Sequence, residues 1–534
     1  MAFNLLALEI NENIASYLDH DRDVNNFGFT CKTTYAAVNE HRCGLWRKLW
    51  KKRYDLPPGK SGVEIMMQYK VRSRFLRKRI PNFVMGQEFT ELRAIDRLRE
   101  LIIESYADTP MGQKATTVSK NIAEIRRFVQ RSSIFSSAVC PFREEPNYNP
   151  ALKTLQIVLF HLQLDRSLDV GMLGFPFSQS AVYAHPQQNP LFLNHGLDVN
   201  IDLLMHTANF FKYHMTQATE NTLYTIFNEL EDDQKPRAWE SQLQQGRGIP
   251  GVKKLGTHWK GSYAYLDPSD MPYIRSTDDV SIYDFVDRID YEDGFQTLEL
   301  DFSSPASNVT YPQIFDKHLN SFPSPQLCKE IHRISKPKKR VQAPARTHHY
   351  RRPAVHSRDT GLPSPKYTPD NPPRQHVIRL PASIHPTAAS DLPPTPTSPV
   401  FDTSKPRKGH NYLQFGGSGA DALRFHCNGI LHPLPPQHEI PGWQRITMMK
   451  YFDDVSPNSS PAGAGSDNSS ASKGFQLDDD VSLNDGCWAY EGVVLPGGMI
   501  ILGRWWSPMD QTRKRCCMGP FIFWNVAPPA GETP

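Results

Sequence analysis

Arg333–Lys408 limits what this chain can fold into more than any other stretch, because none of it can enter a core. It holds 15 of the 45 prolines, 15 lysines and arginines and only four aspartates, with almost no apolar periodicity. Such a composition cannot bury enough apolar surface to offset the entropy of ordering the chain. Residues 333–409 therefore read as a disordered, basic, Pro-rich linker, and whatever folds must fold on either side of it. Within the linker, Lys336-Pro337-Lys338-Lys339-Arg340 fits a nuclear import signal or a plain basic spacer. Leu392-Pro393-Pro394-Thr395-Pro396-Thr397-Ser398-Pro399 offers proline-directed phosphorylation sites.

Both flanks of the linker are strand-like. Lys254–Leu266 is rich in aromatic and turn residues. Phe295–Phe302 alternates, with Leu298, Leu300 and Phe302 on one face, and Val280–Ile289 is short and ambiguous. After the linker, residues 410–527 carry strand patterns at Leu423–Phe425, Trp443–Phe452, Trp488–Trp506 and Gly519–Val526. Pro433–Pro441 reads as a rigid turn, and 455–474, rich in Ser, Gly and Asn, as a second disordered loop. Residues 250–325 show only two or three strands, too few for an independent sheet. The expectation is one antiparallel β-rich domain, a barrel or a sandwich, built from 250–325 and 410–527 with the linker looped out. Loop closure entropy grows slowly enough with length to permit that.

Trp488–Trp506 sets its own register. Gly497-Gly498 suits a two-residue hairpin turn, where both central residues take φ > 0. That turn places Val494 opposite Ile501, Gly492 opposite Gly503, Glu491 opposite Arg504 and Tyr490 opposite Trp505. A three-residue loop would instead put Tyr490 opposite Arg504. In the first register the paired glycines leave a gap bordered by Tyr490 and Trp505. Tyr490, Gly492, Gly503 and Trp505 are thus candidates for seating a target peptide or side chain, unless another core aromatic fills the space.

The chain before residue 250 is patterned for helices. Residues 81–240 read as a helical domain. Leu92, Ile95, Leu98 and Ile102 share one face, as do Ile122, Ile125, Phe128 and Val129 behind a capping Ser119. Asn149-Pro150 opens another helix, and 198–213 and 221–230 read as two more, with Gly171–Pro190 a loop between elements. Residues 51–80 form a basic linker helix, read as a solvated face rather than an anion contact. At the N-terminus, residues 1–50 form a separate small unit. Ile10, Ile14, Tyr17 and Leu18 line one helical face, Asp19–Asp23 break it, and Val24 and Phe27 begin a second amphipathic turn.

This N-terminal unit resembles an F-box. Leu6-Ala7-Leu8-Glu9-Ile10, Tyr17-Leu18-Asp19, Cys31-Lys32 and Leu45-Trp46 follow the order of that family's opening, stop, Cys-Lys/Arg step and closing Leu-Trp. Ala7 stands where the family has Pro, and Asp19–Asp23 is one residue longer than the commonest version. The C-terminal segment is similar to that of a group of fungal F-box proteins. The resemblance implies docking on the Skp adaptor of a cullin-RING ubiquitin ligase, with the rest of the chain receiving a target protein. Ile10, Ile14, Tyr17, Leu18, Val24 and Phe27 are the expected adaptor-facing set, some of which will pack inside the unit instead.

The fold class expected is thus α+β and multidomain: a small helical F-box, a mostly helical middle region and an antiparallel β-rich C-terminal domain with a long disordered insertion. A net charge of +4 in 534 residues does not argue for nucleic-acid binding. No basic leader with a long apolar run opens the sequence, and no apolar run approaches membrane-spanning length. Eight scattered cysteines fit reduced intracellular thiols, so a cytoplasmic or nuclear setting is expected. Cys140 has no catalytic signature around it, His206 and His214 are eight residues apart, and His426, Cys427, His432 and His438 match no closed zinc spacing. Phe415–Asp421 is Gly-rich but lacks a Gly-Lys-Ser/Thr ending, and so reads as a loop. No cofactor, metal or catalytic residue is expected. Two rival readings stay open: a ligand-binding or catalytic β-domain that carries an F-box, and an F-box binder acting outside a ligase.

Overall fold

The computed structural model describes residues 2–321 and 412–528, apart from 19, 40–42, 56–58, 84–88, 106–118, 136–149, 166, 169–173, 194–195, 240–254, 278–284, 290–293, 303–316, 320, 422, 453–485 and 509–516. The Pro-rich linker, its basic run at 336–340, the 455–474 loop and Cys140 lie outside the described residues. Residues 1–336 and 409–534 form one compact unit.

Four short helices open the chain: α1 (Leu8–Ser16), α2 (Asp21–Gly28), α3 (Lys32–Asn39) and α4 (Gly44–Arg53). Asp21 and Asp23 occupy the first turn of α2, where the positive end of the helix favours carboxylates. Thr34 Oγ1 accepts the Cys31 N–H at 3.0 Å and so starts α3. Trp46 and Trp50 are fully buried, and Trp46 Nε1 donates to the Val38 carbonyl at 2.8 Å. Gly44 opens α4 because the Glu12 carboxylate lies against it: a Cβ there would meet Glu12 Oε2 at 2.8 Å.

α5 (Gly62–Arg72) starts with a capping box between Ser61 and Glu64 and runs into a π-helical turn, Ser73–Lys78. The solvated basic face expected here is not what Arg72 makes. Its guanidinium is fully buried over the rings of Trp50 at 4.7 Å and Tyr54 at 5.1 Å, and pairs with Glu104 at 2.8 Å. Arg72 turns inward because α6 (Phe89–Ser105) supplies the carboxylates that offset its desolvation, while Lys51, Lys52, Lys70, Arg74 and Lys78 stay exposed as expected. Asp55 completes the junction. It accepts from the Lys120 N–H at 3.0 Å at the start of α7 (Lys120–Arg131), and the Ser119 hydroxyl donates to it. Ser119 thus works through Asp55 rather than capping with its own side chain.

The helical layer continues with α8 (Pro150–Val158), α9 (Phe160–Gln163), α10 (Phe175–Tyr183), α11 (Ile201–Thr216) and α12 (Tyr224–Glu229), plus a two-residue ladder of β1 (Phe192–Leu193) and β2 (Asp198–Val199). α10 lies inside the stretch expected to be a loop. Its Pro176 falls in the first turn, where a missing N–H costs nothing. Leu92 stands exposed while Ala94 and Leu101 join Ile95, Leu98 and Ile102 in the core, a shift of the buried stripe by one position.

The C-terminal part is a closed antiparallel barrel of eight strands. They run β3 (His258–Tyr265), β5 (Gln296–Asp301), β6 (Leu413–Ala420), β7 (Arg424–Pro433), β8 (Gln444–Phe452), β9 (Cys487–Val494), β10 (Ile500–Trp506) and β11 (Met518–Asn525), and β11 closes on β3. β4 (Arg288–Ile289) adds two residues to the end of β3, and α13 (Met271–Ser276) follows β3. The two β-rich stretches therefore do make one domain, a barrel and not a sandwich. β6 is the Gly-rich stretch expected to be a loop. Two of its three glycines are required by neighbours: a Cβ on Gly419 would meet the Phe425 ring at 2.4 Å, and one on Gly417 the Glu299 carbonyl at 2.3 Å.

Inward residues fill the barrel, among them Trp259, Leu298, Phe415, Phe425, Met448, Ile501 and Phe523. Outward Val493, Leu502, Ile522 and Trp524 share a core with the helical layer. Trp524 Nε1 donates to the Gln234 carbonyl at 2.8 Å, with its ring 5.0 Å from Phe295. The turn between β7 and β8 also reaches the helices. His438 and Glu439, at φ 45° and 67°, sit at the tip of a Gln437–Ile440 bridge. That strained pair is held by Thr154 Oγ1 on His438 Nδ1 at 2.6 Å and by Arg99 on Glu439 at 2.8 Å.

Cleavage anywhere in 333–408 should leave a single particle, because β3 and β5 precede the cut while β6 and β11, their ladder partners, follow it. Limited proteolysis followed by native size-exclusion should elute both fragments together at the volume of the intact chain. Two separately eluting folded pieces would contradict the closed barrel.

Candidate functional site

Two places in the fold leave apolar side chains unpacked or open to a cavity. The first is the N-terminal unit. On α1, Ile10, Ile14 and Tyr17 follow i, i+4, i+7 and share one face. Ile10 is 48% and Tyr17 74% exposed, and Ile14 is half-buried. The opposite face, Asn11, Glu12 and Ala15, is buried. Leu5, Phe29 and Tyr35 also stand out, at 89%, 80% and 55%. The structure divides the expected adaptor-facing set. Val24 is in the core, Phe27 packs against the core and meets Phe3 edge-on at 5.4 Å, and Leu18 packs inward. These three pack within the unit, which leaves Ile10, Ile14 and Tyr17 on its open face. Leu5, Phe29 and Tyr35, outside the expected set, are exposed on short elements or in a turn where periodicity gives no stripe.

The second place is the mouth of the barrel where β3, β6, β8 and β10 end. A cavity of about 320 Å³ opens there, walled by Tyr263, Tyr265, Phe452, Trp488, Tyr490 and Trp505, with Lys450 in its lining. Trp505 is the hub of the rings: Trp488 meets it edge-on at 5.1 Å and Tyr263 at 5.6 Å, and its Nε1 donates to the Ala264 carbonyl at 3.2 Å. Lys450 follows Ile446 and Met448 on the inward face of β8. Its ammonium lies 4.1 Å from the centre of the Phe425 ring and pairs with Asp421. Burial pushes the Cys427 thiol up to about 12, against the opposing pull of Lys450, so it is protonated at neutral pH. Burial likewise holds the Tyr490 phenol well above its ordinary value. The mouth is an aromatic seat with one paired ammonium at its edge.

The β9–β10 hairpin has the register expected from sequence: Val494–Ile501, Gly492–Gly503, Glu491–Arg504 and Tyr490–Trp505. Its turn differs. Gly498 N–H bonds the Leu495 carbonyl at 2.9 Å, so the turn is Leu495–Gly498 with Pro496 and Gly497 central. Gly497, at φ 98°, abuts Trp239, which a Cβ would meet at 2.8 Å. The expected gap between Gly492 and Gly503 is closed by Phe521. A Cβ on Gly492 would meet that ring at 2.8 Å, and one on Gly503 at 2.7 Å. Those two glycines therefore make room for a core aromatic and seat no ligand, while Tyr490 and Trp505, one pleat nearer the end, do line the mouth cavity.

On the outer face of this hairpin, Glu491 pairs with Arg445 of β8 at 2.5 Å rather than directly with Arg504, whose Nη1 donates to the Asn189 carbonyl at 3.2 Å. Burial alone would raise the Glu491 carboxyl; the guanidiniums of Arg445 and Arg504 outweigh it and hold the group below the ordinary carboxylate range.

Other candidates are dispersed. Cys427 faces the barrel interior while His426 and His432 alternate to its outer side, so no shared metal site forms. Among the described residues no group of three or more His, Cys, Asp or Glu side chains could hold a metal ion, and no helix is long and apolar enough to cross a membrane. His206 accompanies Ser178, and His214 Nε2 meets Asp287 at 3.0 Å in a buried cluster completed by Tyr183. No protein-family model, curated protein or solved structure matches this chain.

Glu491→Gln should destabilise the fold by on the order of 3 kcal/mol at pH 7, since one partner of a buried pair is lost. Because the folded value is depressed, the native pair is fully stabilising above the ordinary Glu pKa of about 4.3 and loses that contribution as pH falls through the folded value. Denaturant midpoints of the two proteins should therefore converge below about pH 4. A gap unchanged from pH 7 to pH 3 would mean that charge is not what the residue contributes. Gly503→Ala should cost more than Gly492→Ala, because its Cβ would also meet the Glu491 carbonyl at 2.2 Å, backbone that cannot yield.

Proposed function

We propose that this chain is an F-box substrate receptor: it docks on the Skp adaptor of a cullin-RING ubiquitin ligase and presents a target protein for ubiquitination. The observation that carries the reading is the concentration of exposed apolar side chains in the N-terminal unit. Five of the fourteen large apolar residues that stand exposed among the described residues fall within Leu5–Tyr35. A patch of that kind on a small helical unit marks an interaction surface. Ile10, Ile14 and Tyr17, with Leu5, Phe29 and Tyr35, would meet the adaptor; Leu18, Val24 and Phe27 would support them from within.

The chain would form no covalent bond itself. It would hold a target close to the charged conjugating enzyme, which is catalysis by proximity. An aromatic mouth at the barrel end, with Tyr490 and Trp505 in its wall, would take an apolar side chain of the target. Such a receptor would work in the cytoplasm, the nucleus or both, and needs no cofactor.

The test is affinity purification of the intact chain beside a double variant, Ile10→Asp and Tyr17→Asp. Both side chains are exposed, so the variant should unfold within about 0.5 kcal/mol of the wild type. It should lose the adaptor and cullin, and proteins enriched on it are target candidates. Adaptor recovered equally with both proteins would overturn the docking face. Trp505→Ala, costing about 3–5 kcal/mol in stability, should in turn release the target while keeping the adaptor.

A further inference from the structure

The largest cavity among those described, about 750 Å³, lies not at the mouth but over the outer face of β3, β5, β6 and β7. Its floor can be read from the strand register. Lys260 lies opposite Thr297, Thr297 opposite Ala420, and Ala420 opposite Arg424. The residues between these in sequence, Trp259, Leu298 and Phe425, fill the barrel, so this row points outward. It is a trough with a cation at each rim and two short side chains between. Three strand spacings of about 4.8 Å set the two cations about 14 Å apart. Among the described residues neither Lys260 nor Arg424 forms an ion pair. One row further along, Glu299 sits exposed between His258 and Ser418.

Outside the basic linker the sequence as a whole carries net negative charge. Arg333–Lys408 carries 15 basic and four acidic residues, +11, while the whole chain is +4, so everything outside that segment sums to −7. A cationic pair on a negatively charged body selects a short anionic partner with discrete charges. A continuous polyanion such as a nucleic acid would meet Glu299 one row from the two cations.

We propose that this trough binds an extended acidic peptide segment whose carboxylates stand four residues apart. An extended chain advances about 3.4 Å per residue, so residues i and i+4 span about 14 Å and meet Lys260 and Arg424 together. The residues between them lie over Thr297 and Ala420, where the low floor leaves room, and a polar or basic one faces Glu299. This surface does not depend on the adaptor-docking reading, and it is measured without the adaptor.

Fluorescence anisotropy on the full chain tests it with four labelled probes. These are a nine-residue peptide with Glu at positions 3 and 7, the same peptide with Gln at both, one with Glu at 3 and 4, and a 12-nucleotide single strand. The spaced acidic peptide should bind at least about tenfold more tightly than the Gln peptide and more tightly than the adjacent-Glu peptide, with affinity falling as salt rises. Lys260→Glu and Arg424→Glu should each weaken it about fivefold or more with the melting temperature unchanged, and Tyr17→Asp should leave it unaltered. Equal binding of the Glu and Gln peptides, or insensitivity to both charge reversals, would overturn the proposal. Tighter binding of the oligonucleotide than of the acidic peptide would overturn it too, by assigning the trough to nucleic acid.

Discussion

The ladder between β3 and β11 is the constraint on which the rest of the molecule depends. It pairs Tyr263 with Phe521 and Lys260 with Trp524, joining residues more than 250 positions apart and turning an eight-strand sheet into a ring. Gly261 is what lets the two strands close, since a Cβ there would meet the Ile522 carbonyl at 2.4 Å. Closure sends Phe521 and Phe523 inward, where Phe521 occupies the space that Gly492 and Gly503 leave, and sends Ile522 and Trp524 outward into the core shared with the helices. One ladder thus fixes both the filled interior and the surface on which the helical layer rests. Because the linker enters after β5 and leaves before β6, its length bears on neither.

A second dependence runs through Arg72. A buried guanidinium is costly unless it is paired and its face is covered. Here Glu104 pairs it, while Trp50 and Tyr54 cover it from the N-terminal unit. With Asp55 holding the start of α7, the exposed face of α1 is carried on a unit locked to the helical layer, and that layer shares its core with the barrel. A small four-helix unit that would be marginal alone gains its stability from this junction. For a receptor, the same rigidity would keep a bound target at a set distance from the adaptor, which is what catalysis by proximity requires.

What could be read from sequence divides along physical lines. Strand patterning was a local signal that located β5 and β8 to within a residue, and the β9–β10 register was read to the residue although the turn itself centres on Pro496 and Gly497. The shared domain was legible because residues 250–325 had too few strands to stand alone, while the choice between barrel and sandwich was not. Tertiary contacts decided the rest. The β6 glycines look like a loop until Phe425 and Cys427 are placed beside them, and Gly492 and Gly503 look like a vacancy until Phe521 is. Arg72 reads as solvent-facing until Glu104 arrives from 32 residues away. Lys450 was invisible as a mouth residue for the same reason: an isolated lysine in a strand shows its side only once the register of its neighbours is known. On α1 the amphipathic stripe was read correctly as a face, but an apolar face does not say whether it packs or stays open. Val24 packs, and Tyr17 stays open.

Closure also limits how a barrel of this kind can recognise anything. An open sheet can take a peptide as an added strand, through backbone hydrogen bonds that are indifferent to sequence. A closed ring has no continuous free edge, so most of its strands' donors and acceptors are paired with their neighbours. Recognition must then fall to side chains, at an end or on the outer wall. Part of that wall is already used, since Val493, Leu502, Ile522 and Trp524 lie under the helical layer. The aromatic mouth around Trp505 and the trough between Lys260 and Arg424 are side-chain surfaces of the kind closure leaves for selectivity, one suited to apolar bulk and the other, on the proposal above, to the spacing of charge.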